Sequence, residues 1–326
     1  MKPTRVSLLL CVLFSSAVFA AEPVVLKLGS LAPRESPWGT VLRVWQKAVK
    51  EKTKGEVTIE IFWNATQGDE AAQMSKVKTG QLDGAIVSAV GLSSIDPNVN
   101  VLQVPGLFPD WATLDKVRLA LTPRFEKTFH DANMELIGWG DIGLDRFISQ
   151  GYGAQKPSDL KGKRGWVWRE DPLLPPVFQL TGTVMVPTAL PEVLPELSTG
   201  NVNVLVVSAL AAEQLQWASR LSHISSAVVA PNIGGIVISK AGLERLPPGA
   251  KEIVIESGRL ASKALTDRIR GEDAKAFERL QKRMTVVQPN AEDLAAWKTL
   301  FAAARVQLGK GTFSPKLLEE VEQLAK

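Results

Sequence analysis

The sequence is almost without cysteine and has little histidine. Its single cysteine, Cys11, lies in the first apolar run of the chain. Without that run, disulfides, thiolate nucleophiles and thiolate metal sites are all excluded. The two histidines, His130 and His223, have no metal-ligand spacing. We therefore expect neither a metal nor a cofactor.

Catalytic motifs are absent as well. No G-x-S-x-G elbow and no Walker-type phosphate loop occurs in the sequence, so we predict that the protein is not an enzyme. The carboxylate pairs Glu170-Asp171 and Asp141/Asp145 could in principle perform acid–base chemistry. We expect them instead to be solvated or paired with nearby arginines, as surface carboxylates usually are. The candidate partners are Arg146, Arg164 and Arg169.

The chain also lacks a strong charge and a second long apolar run. It contains 38 Lys+Arg and 34 Asp+Glu, and loss of Lys2 and Arg5 would leave 36 against 34, a net charge of +2. That excess is too small to indicate nucleic-acid binding. After the first run, no stretch reaches the roughly 18 uninterrupted apolar residues of a membrane span.

The N-terminus has the features of a secretory signal peptide. Lys2 and Arg5 precede an apolar run at 6–14, and Val18-Phe19-Ala20 forms a small-residue cleavage site. We predict a signal peptide over 1–20 and export to the periplasm. Cys11 follows two leucines rather than a small residue, so we expect no lipidation.

From Val24 onward, predicted strands and helices alternate, which is typical of an α/β protein. A stripe of apolar residues at steps of four and seven predicts one long helix from Ala250 to Met284. Such a helix would be about 50 Å long, longer than one domain is wide. Such a helix can lie across two domains.

Residues 138–143, GWGDIG, match the dinucleotide fingerprint G-x-G-x-x-G. The fingerprint has that meaning only when a helix follows to receive the pyrophosphate. Here Leu144 to Ile148 is predicted to be a strand that crosses into a second lobe. We therefore interpret these glycines as part of the crossing and not as a nucleotide site.

Several segments resemble one family. They are LKLGSLAPRESPWG at 26–39, GDEAAQMSKVKTGQLDGAIVS at 68–88, VPGLF at 104–108, DLKG at 159–162, the pattern Leu180-x-Gly182-x-x-x-x-Pro187, Glu192-Val193, and Leu197-x-Thr199-Gly200-x-Val202. Together they resemble the DctP-type substrate-binding proteins of tripartite ATP-independent periplasmic (TRAP) transporters. The resemblance extends over nearly the whole chain after the signal peptide.

The resemblance implies a type II-like, two-lobed periplasmic binding protein, with crossing strands as the hinge and one long helix spanning both lobes. We predict lobe I over 21–145, completed by about 232–262. Lobe II would cover 146–231, completed by about 263–290. Residues 291–326 would form C-terminal helices packed on the lobes. A solute would bind between the lobes and be delivered to a membrane permease.

The expected ligand follows from a departure from the family pattern. Most members bind a carboxylate through an arginine after the DLKG element, and Trp166 occupies that position here. A buried carboxylate without a cation is costly, whereas an indole offers apolar surface and one N–H donor. Val206, Val207 or Ser208 would also face the ligand, where relatives have polar residues. We therefore predict a hydrophobic or weakly polar ligand.

Other candidate ligand contacts are weaker. Arg146 matches an arginine that in several relatives touches the acid, or it forms a hinge salt bridge with Asp141 or Asp145. We expect only one of Trp166 and Trp168 to line the cleft while the other packs beneath a helix. The remaining candidates are Trp63, Trp139 and Trp217.

Two alternatives remain open. The ligand could be an organic acid held by Arg146 with Arg164 or Arg169. The scaffold could be a protein-interaction module without a ligand, which would require a cleft filled by its own side chains. Relatives with apolar pockets are associated with a periplasmic tetratricopeptide-repeat protein, and such a partner is a further expectation.

Overall fold

A computed structural model describes residues 22–326 of the chain. The predicted signal peptide, with Cys11, lies outside the described residues. The described part has ten strands, which are β1 Val24–Ser30, β2 Val57–Phe62, β3 Gly84–Ser88, β4 Met134–Ser149, β5 Arg164–Trp168, β6 Val184–Thr188, β7 Val204–Ser208, β8 His223–Ser225, β9 Ala230–Ser239 and β10 Thr285–Val287. None of the helices described is long and apolar enough to cross a membrane.

The helices alternate with the strands, as predicted. They are α1 Pro37–Lys52, α2 Glu70–Lys78, α3 Ala89–Ser93, α4 Trp111–Asp131, α5 Leu174–Thr181, α6 Val193–Thr199, α7 Ala209–Gln214, α8 Lys240–Glu244, α9 Ala250–Gln281, α10 Ala291–Leu308 and α11 Pro315–Leu324. The start of α1 illustrates why they begin where they do. The Ser36 hydroxyl accepts the Gly39 N–H at 3.2 Å, and Pro37 occupies the first helical position.

One continuous sheet carries both lobes, in the order β2-β1-β3-β9-β4-β7-β5-β6. Strands β1, β2 and β3 pair in parallel and define lobe I, while β5 and β6 pair in parallel in lobe II. Helices cover both faces, as a parallel sheet requires. The two-lobed α/β fold predicted from the sequence is therefore confirmed, whereas the boundary at residues 145 and 146 stays a prediction.

Strands β4 and β9 connect the lobes. They run antiparallel from Met134 opposite Ser239 to Asp145 opposite Ala230, and the far end of β4 pairs with β7. The strand predicted at Leu144 to Ile148 is the second half of β4, a single strand of 16 residues. The GWGDIG segment lies inside it, and a register shift falls between Asp141 and Gly143. No helix follows the glycines, so they do not form a dinucleotide site.

Helix α9 crosses from one lobe to the other. Its 32 residues are about 48 Å long. The first half buries Val254 and Leu265 in the lobe I core, and the second half buries Ile269 and Leu280 in the lobe II core. The predicted long helix is thus confirmed, and its apolar stripe is continuous because it serves two cores in succession.

The C-terminal helices are divided between the lobes. Trp297 and Phe301 of α10 pack into a lobe II cluster, where Trp297 stacks on Phe147 of β4 at 4.7 Å between ring centroids. Leu317 and Val321 of α11 pack into the second core of lobe I. The two C-terminal helices therefore pack on both lobes, and neither contributes a residue to the cleft.

Candidate functional site

A cavity lies between the lobes where the strands end. It encloses about 1460 Å³ of empty space, including its opening to solvent. Residues after β1, at the end of β3, in the middle of β4, at the ends of β5 and β7, and at the start of β9 line it. Ligands of α/β proteins bind at the carboxyl ends of such strands. The cavity is therefore the candidate site.

Three indoles form one wall of the cavity. Trp166 lies between Trp168, at 5.9 Å between ring centroids, and Trp217, at 5.4 Å and 63° between ring planes. Both Trp166 and Trp168 line the cavity, so the expectation that only one would do so is wrong. Residues two apart on a strand point to the same face, and β5 presents both rings to the cleft.

Two of the three indole N–H groups of this wall are already bound within the protein. Trp166 Nε1 donates to the Thr188 carbonyl at 3.3 Å, and Trp168 Nε1 donates to Asp69 Oδ2 at 2.8 Å. The donor that the sequence suggested for Trp166 is therefore occupied by β6. What these two residues present to a ligand is the apolar surface of the ring.

Strand β7 contributes apolar side chains. Val206 and Val207 both line the cavity at its edge. Ser208 is fully buried, and its hydroxyl donates to the Ile142 carbonyl at 3.2 Å and accepts the Ala211 N–H at 3.2 Å. Ser208 therefore caps α7 and does not line the cavity.

Two of the predicted tryptophans lie elsewhere. Trp63 packs against the lobe I core beside β2. Trp139 points to α4, where it meets Phe125 edge to face at 5.6 Å and donates to Thr122 Oγ1 at 2.9 Å. Neither belongs to the cavity lining, which among the predicted tryptophans consists of Trp166, Trp168 and Trp217.

The three candidate arginines also point away from the cavity. Arg146 lies over the Phe277 ring at 4.0 Å and donates to the Ser226 carbonyl. Arg164 donates to the Asn201 carbonyl at 3.1 Å, and Arg169 pairs with Glu192 at 3.1 Å on the surface. The hinge salt bridge suggested for Arg146 is not formed, because its guanidinium lies on the α9 side of β4.

Asp141 is buried in an ion-pair network instead. Its carboxylate accepts from Arg118 Nη1 at 2.6 Å and from Arg270 Nε at 2.6 Å. Asp115 completes the network by pairing with both arginines, at 2.8 and 2.6 Å. The expectation that Asp141 is solvated or paired with Arg146, Arg164 or Arg169 is wrong, since its partners Arg118 and Arg270 come from α4 and α9.

Three further carboxylates line the cavity, and sequence reasoning missed them as site residues. Glu70 accepts from the Ser88 N–H at 2.7 Å, the Ser88 hydroxyl at 2.7 Å and the Gly91 N–H at 2.8 Å. Asp145 accepts from Asn232 Nδ2 at 3.0 Å, and Asp171 accepts from the Leu173 N–H at 2.7 Å.

Burial makes these carboxyl groups weak acids. It raises the pKa of Glu70 to about 7 and that of Asp171 to about 6, against the hydrogen bonds that lower them. Burial also raises the pKa of Asp145 well above its usual range, and the charges of Asp273 and Asp171 add to the effect. The sequence signal that could have located Asp171 is its place just after β5, at the sheet edge where ligands bind.

The cavity therefore combines apolar surface with acidic groups. Among the described residues, its lining includes no lysine, arginine or histidine. Within residues 22–326, no group of three or more histidine, cysteine or acidic side chains could hold a metal ion. Chemically, the arrangement can enclose a small molecule and has no cation to neutralise an acidic one.

A cleft between two α/β lobes joined by crossing strands defines the class of two-lobed solute-binding proteins. The chain belongs to the bacterial extracellular solute-binding proteins of family 7, DctP, whose sequence profile matches residues 28–307. It is thus a TRAP-type solute-binding protein for small molecules and a transport component, not an enzyme. The resemblance inferred from the motifs is confirmed at this level.

Two curated relatives illustrate the relationship. A solute-binding protein of Verminephrobacter eiseniae is 24% identical over 305 residues, covering 89% of this chain and 88% of the relative. The 2,3-diketo-L-gulonate-binding periplasmic protein of Escherichia coli is 25% identical over 259 residues, covering 76% and 75%.

Solved structures share the fold. A TRAP periplasmic solute-binding protein of Ralstonia eutropha with bound acetolactate has a TM-score of 0.85 at 20% identity, covering 93% of this chain and 98% of its own. One from Roseobacter denitrificans with bound β-D-glucuronate has a TM-score of 0.83 at 18% identity, covering 92% and 98%. At these identities the similarity supports the architecture and not the ligand.

Proposed function

We propose that this protein is the periplasmic binding component of a TRAP transporter for a hydrophobic or weakly polar molecule. The observation that carries the proposal is the composition of the cavity lining. Trp166, Trp168 and Trp217 form one wall, and none of the described lining residues is cationic. The loaded protein would deliver its ligand to the membrane permease of the transporter.

The energetics favour an apolar ligand body. Closing the lobes on it removes apolar area from water at about 25 cal/mol per Å². A carboxylate in the same place would lose its hydration without meeting a cation, which costs several kcal/mol. It would also lie near Glu70, Asp145 and Asp171, whose ionised forms would repel it.

The organic-acid alternative has one point in its favour, since structural neighbours of this chain hold glucuronate, succinate and acetolactate. It would need Arg146 with Arg164 or Arg169 to reach the ligand. All three guanidinium groups bind protein groups outside the cavity lining. The interaction-module alternative requires a cleft filled by its own side chains, whereas this cavity contains empty space.

Mass spectrometry of the ligand released from protein purified without added solutes tests the proposal. We expect an apolar or aromatic molecule, and recovery of a dicarboxylate or sugar acid would refute it. As a second test, Trp166→Arg should create binding of small carboxylates. The matched control is Trp63→Arg, which adds the same charge outside the cavity lining and should not.

Export and partners are part of the same proposal. Cleavage after Ala20, with no lipid attached, is checked by the intact mass of protein recovered from the periplasm. The tetratricopeptide-repeat partner is checked by affinity purification of the tagged protein from its native membrane and periplasmic fractions. Recovery of the permease alone would remove that accessory partner from the proposal.

A further inference from the structure

The carboxylates that line the cavity differ in how many partners they have within the protein. Of its four carboxylates, only Asp141 forms salt bridges, with Arg118 and Arg270 at 2.6 Å each. Glu70 is 3% exposed and is held by three donors from Ser88 and Gly91. Both Asp141 and Glu70 therefore have structural partners that account for them.

Asp145 and Asp171 differ from those two. In the described part of the chain, neither forms a salt bridge. The Asp145 carboxylate accepts only from the Asn232 amide, and Asp171 only from backbone N–H groups such as that of Leu173. Both side chains are partly exposed to the cavity. Each carboxylate retains lone pairs that a ligand can reach, because an ionised carboxylate offers about four acceptor sites.

Asp145 and Asp171 both line the same cavity. The charge of Asp171 contributes to raising the pKa of Asp145, so the two groups repel one another when both are ionised. Such a pair is stabilised by a positive charge placed between them. Within residues 22–326 no cation forms a salt bridge with either carboxylate. Arg146, whose charge partly offsets the raised pKa of Asp145, is directed at Phe277, and Arg169 pairs with Glu192.

The tryptophan wall adds a second kind of attraction for a cation. Trp166 and Trp168 use their N–H groups within the protein. Trp166 is 5% exposed and Trp217 2%, so the partly exposed Trp168 presents most of the wall's ring surface to the cavity. The face of an indole attracts ammonium groups through the ring quadrupole. An anion gains nothing from these rings, and an uncharged ligand gains only apolar contact.

We propose that the ligand carries a protonated amine on an apolar body, with the ammonium group bound by Asp145 and Asp171 and the body packed against Trp166, Trp168 and Trp217. This inference rests on the proposed function and narrows it from an apolar ligand to an apolar amine. Glu70 and Asp141 keep their structural partners and take no part in binding the head group.

A set of probes with one skeleton and three head groups tests the inference. Cyclohexylmethylamine, cyclohexylmethanol and cyclohexanecarboxylate are titrated into the exhaustively dialysed full chain by isothermal titration calorimetry at about pH 8, where an amine is still charged. We expect the amine to bind at least about tenfold more tightly than the alcohol, since hydrogen bonds between charged groups are stronger than those between neutral groups. The carboxylate should bind most weakly.

Variants then locate the head group. Asp171→Asn and Asp145→Asn should each lower the amine affinity about tenfold and leave the alcohol affinity within about twofold. The matched control is Glu170→Gln, which removes the same charge from the neighbouring exposed residue and should leave both unchanged. Circular dichroism establishes that each variant is folded. If a variant is not folded, the comparison of the three head groups on the unaltered protein tests the amine inference by itself.

The outcomes separate the two proposals. Equal or tighter binding of the alcohol than of the amine overturns the amine inference and leaves the apolar-ligand function intact. Tightest binding of the carboxylate overturns both. A loss of amine affinity in Glu170→Gln as large as in Asp171→Asn would show a general charge effect and would also overturn the assignment of the head group.

Discussion

The indole of Trp168 in lobe II donates its N–H to the Asp69 carboxylate of lobe I at 2.8 Å. The other oxygen of Asp69 accepts the Glu70 N–H at 2.9 Å and caps helix α2. One carboxylate is thus shared between a helix end in lobe I and the cavity wall in lobe II. The bond can form only when the lobes are close together.

The first prediction concerns this contact. Trp168→Phe keeps an aromatic ring but removes the donor, so we expect it to favour the open arrangement by about 1 kcal/mol. Small-angle scattering should show a larger radius of gyration for the variant than for the unaltered protein. Trp139→Phe is the control, because it loses a comparable bond to Thr122 within lobe I. Equal scattering from all three proteins would contradict a role in closure.

The second prediction concerns the pH dependence of stability. Burial raises the pKa of Glu70 from 4.5 to about 7, so the folded state holds a proton that the unfolded state has lost. The stabilisation of the folded state by this bound proton is fully present below about pH 4.5 and is lost as the pH rises to about 7. Glu70→Gln lacks it, so the variant should gain stability relative to the unaltered protein across that window, by about 3 kcal/mol.

Urea unfolding at several pH values measures this difference. Asp110→Asn provides a control of opposite sign, because hydrogen bonds from Thr113 lower the pKa of Asp110. The unaltered protein should be more stable than Asp110→Asn at neutral pH, and this difference in stability should be lost as the pH falls. A difference between Glu70→Gln and the unaltered protein that does not vary between about pH 4.5 and 7 would argue against the raised pKa.

The third prediction concerns the buried ion-pair network. Arg118→Met leaves the fully buried Asp141 carboxylate with one partner fewer, and we expect a loss of about 3 kcal/mol in the free energy of unfolding. Arg169→Met breaks the exposed pair with Glu192 and should change stability by less than about 1 kcal/mol. Comparable losses in the two variants would mean that burial does not set the strength of the network.

The fourth prediction tests why GWGDIG contains its glycines. At Gly143 the backbone φ is 146°, and an added Cβ would lie 2.4 Å from the Cβ of Ser208 and 2.7 Å from Cγ of Asp273. Gly143→Ala should therefore destabilise the hinge by about 2 kcal/mol or more. At Gly140 the nearest atom is Leu265 Cδ1, 3.8 Å away, so Gly140→Ala should be nearly neutral. Thermal unfolding distinguishes them, and equal effects would contradict the packing explanation.

Much of the architecture could be predicted because it depends on local patterns. The cap and proline at Ser36 and Pro37 set the start of α1, and the apolar stripe from Val254 to Leu280 set the long helix. Side-chain periodicity follows from backbone geometry alone, so these features need no knowledge of distant contacts. The family motifs added the two-lobed arrangement. They also placed Trp166 in the cleft, where the structure has it in the cavity lining.

The site required tertiary structure because its chemistry depends on residues far apart in sequence. Sequence alone indicated the compartment, the family and an indole at the expected arginine position. Only the fold decided that Arg146 turns to Phe277, that Asp141 meets Arg118 and Arg270, and that Asp145 and Asp171 share one cavity. The physical reason is that charge and burial are set by neighbours across the cleft, which strand and helix periodicity does not specify.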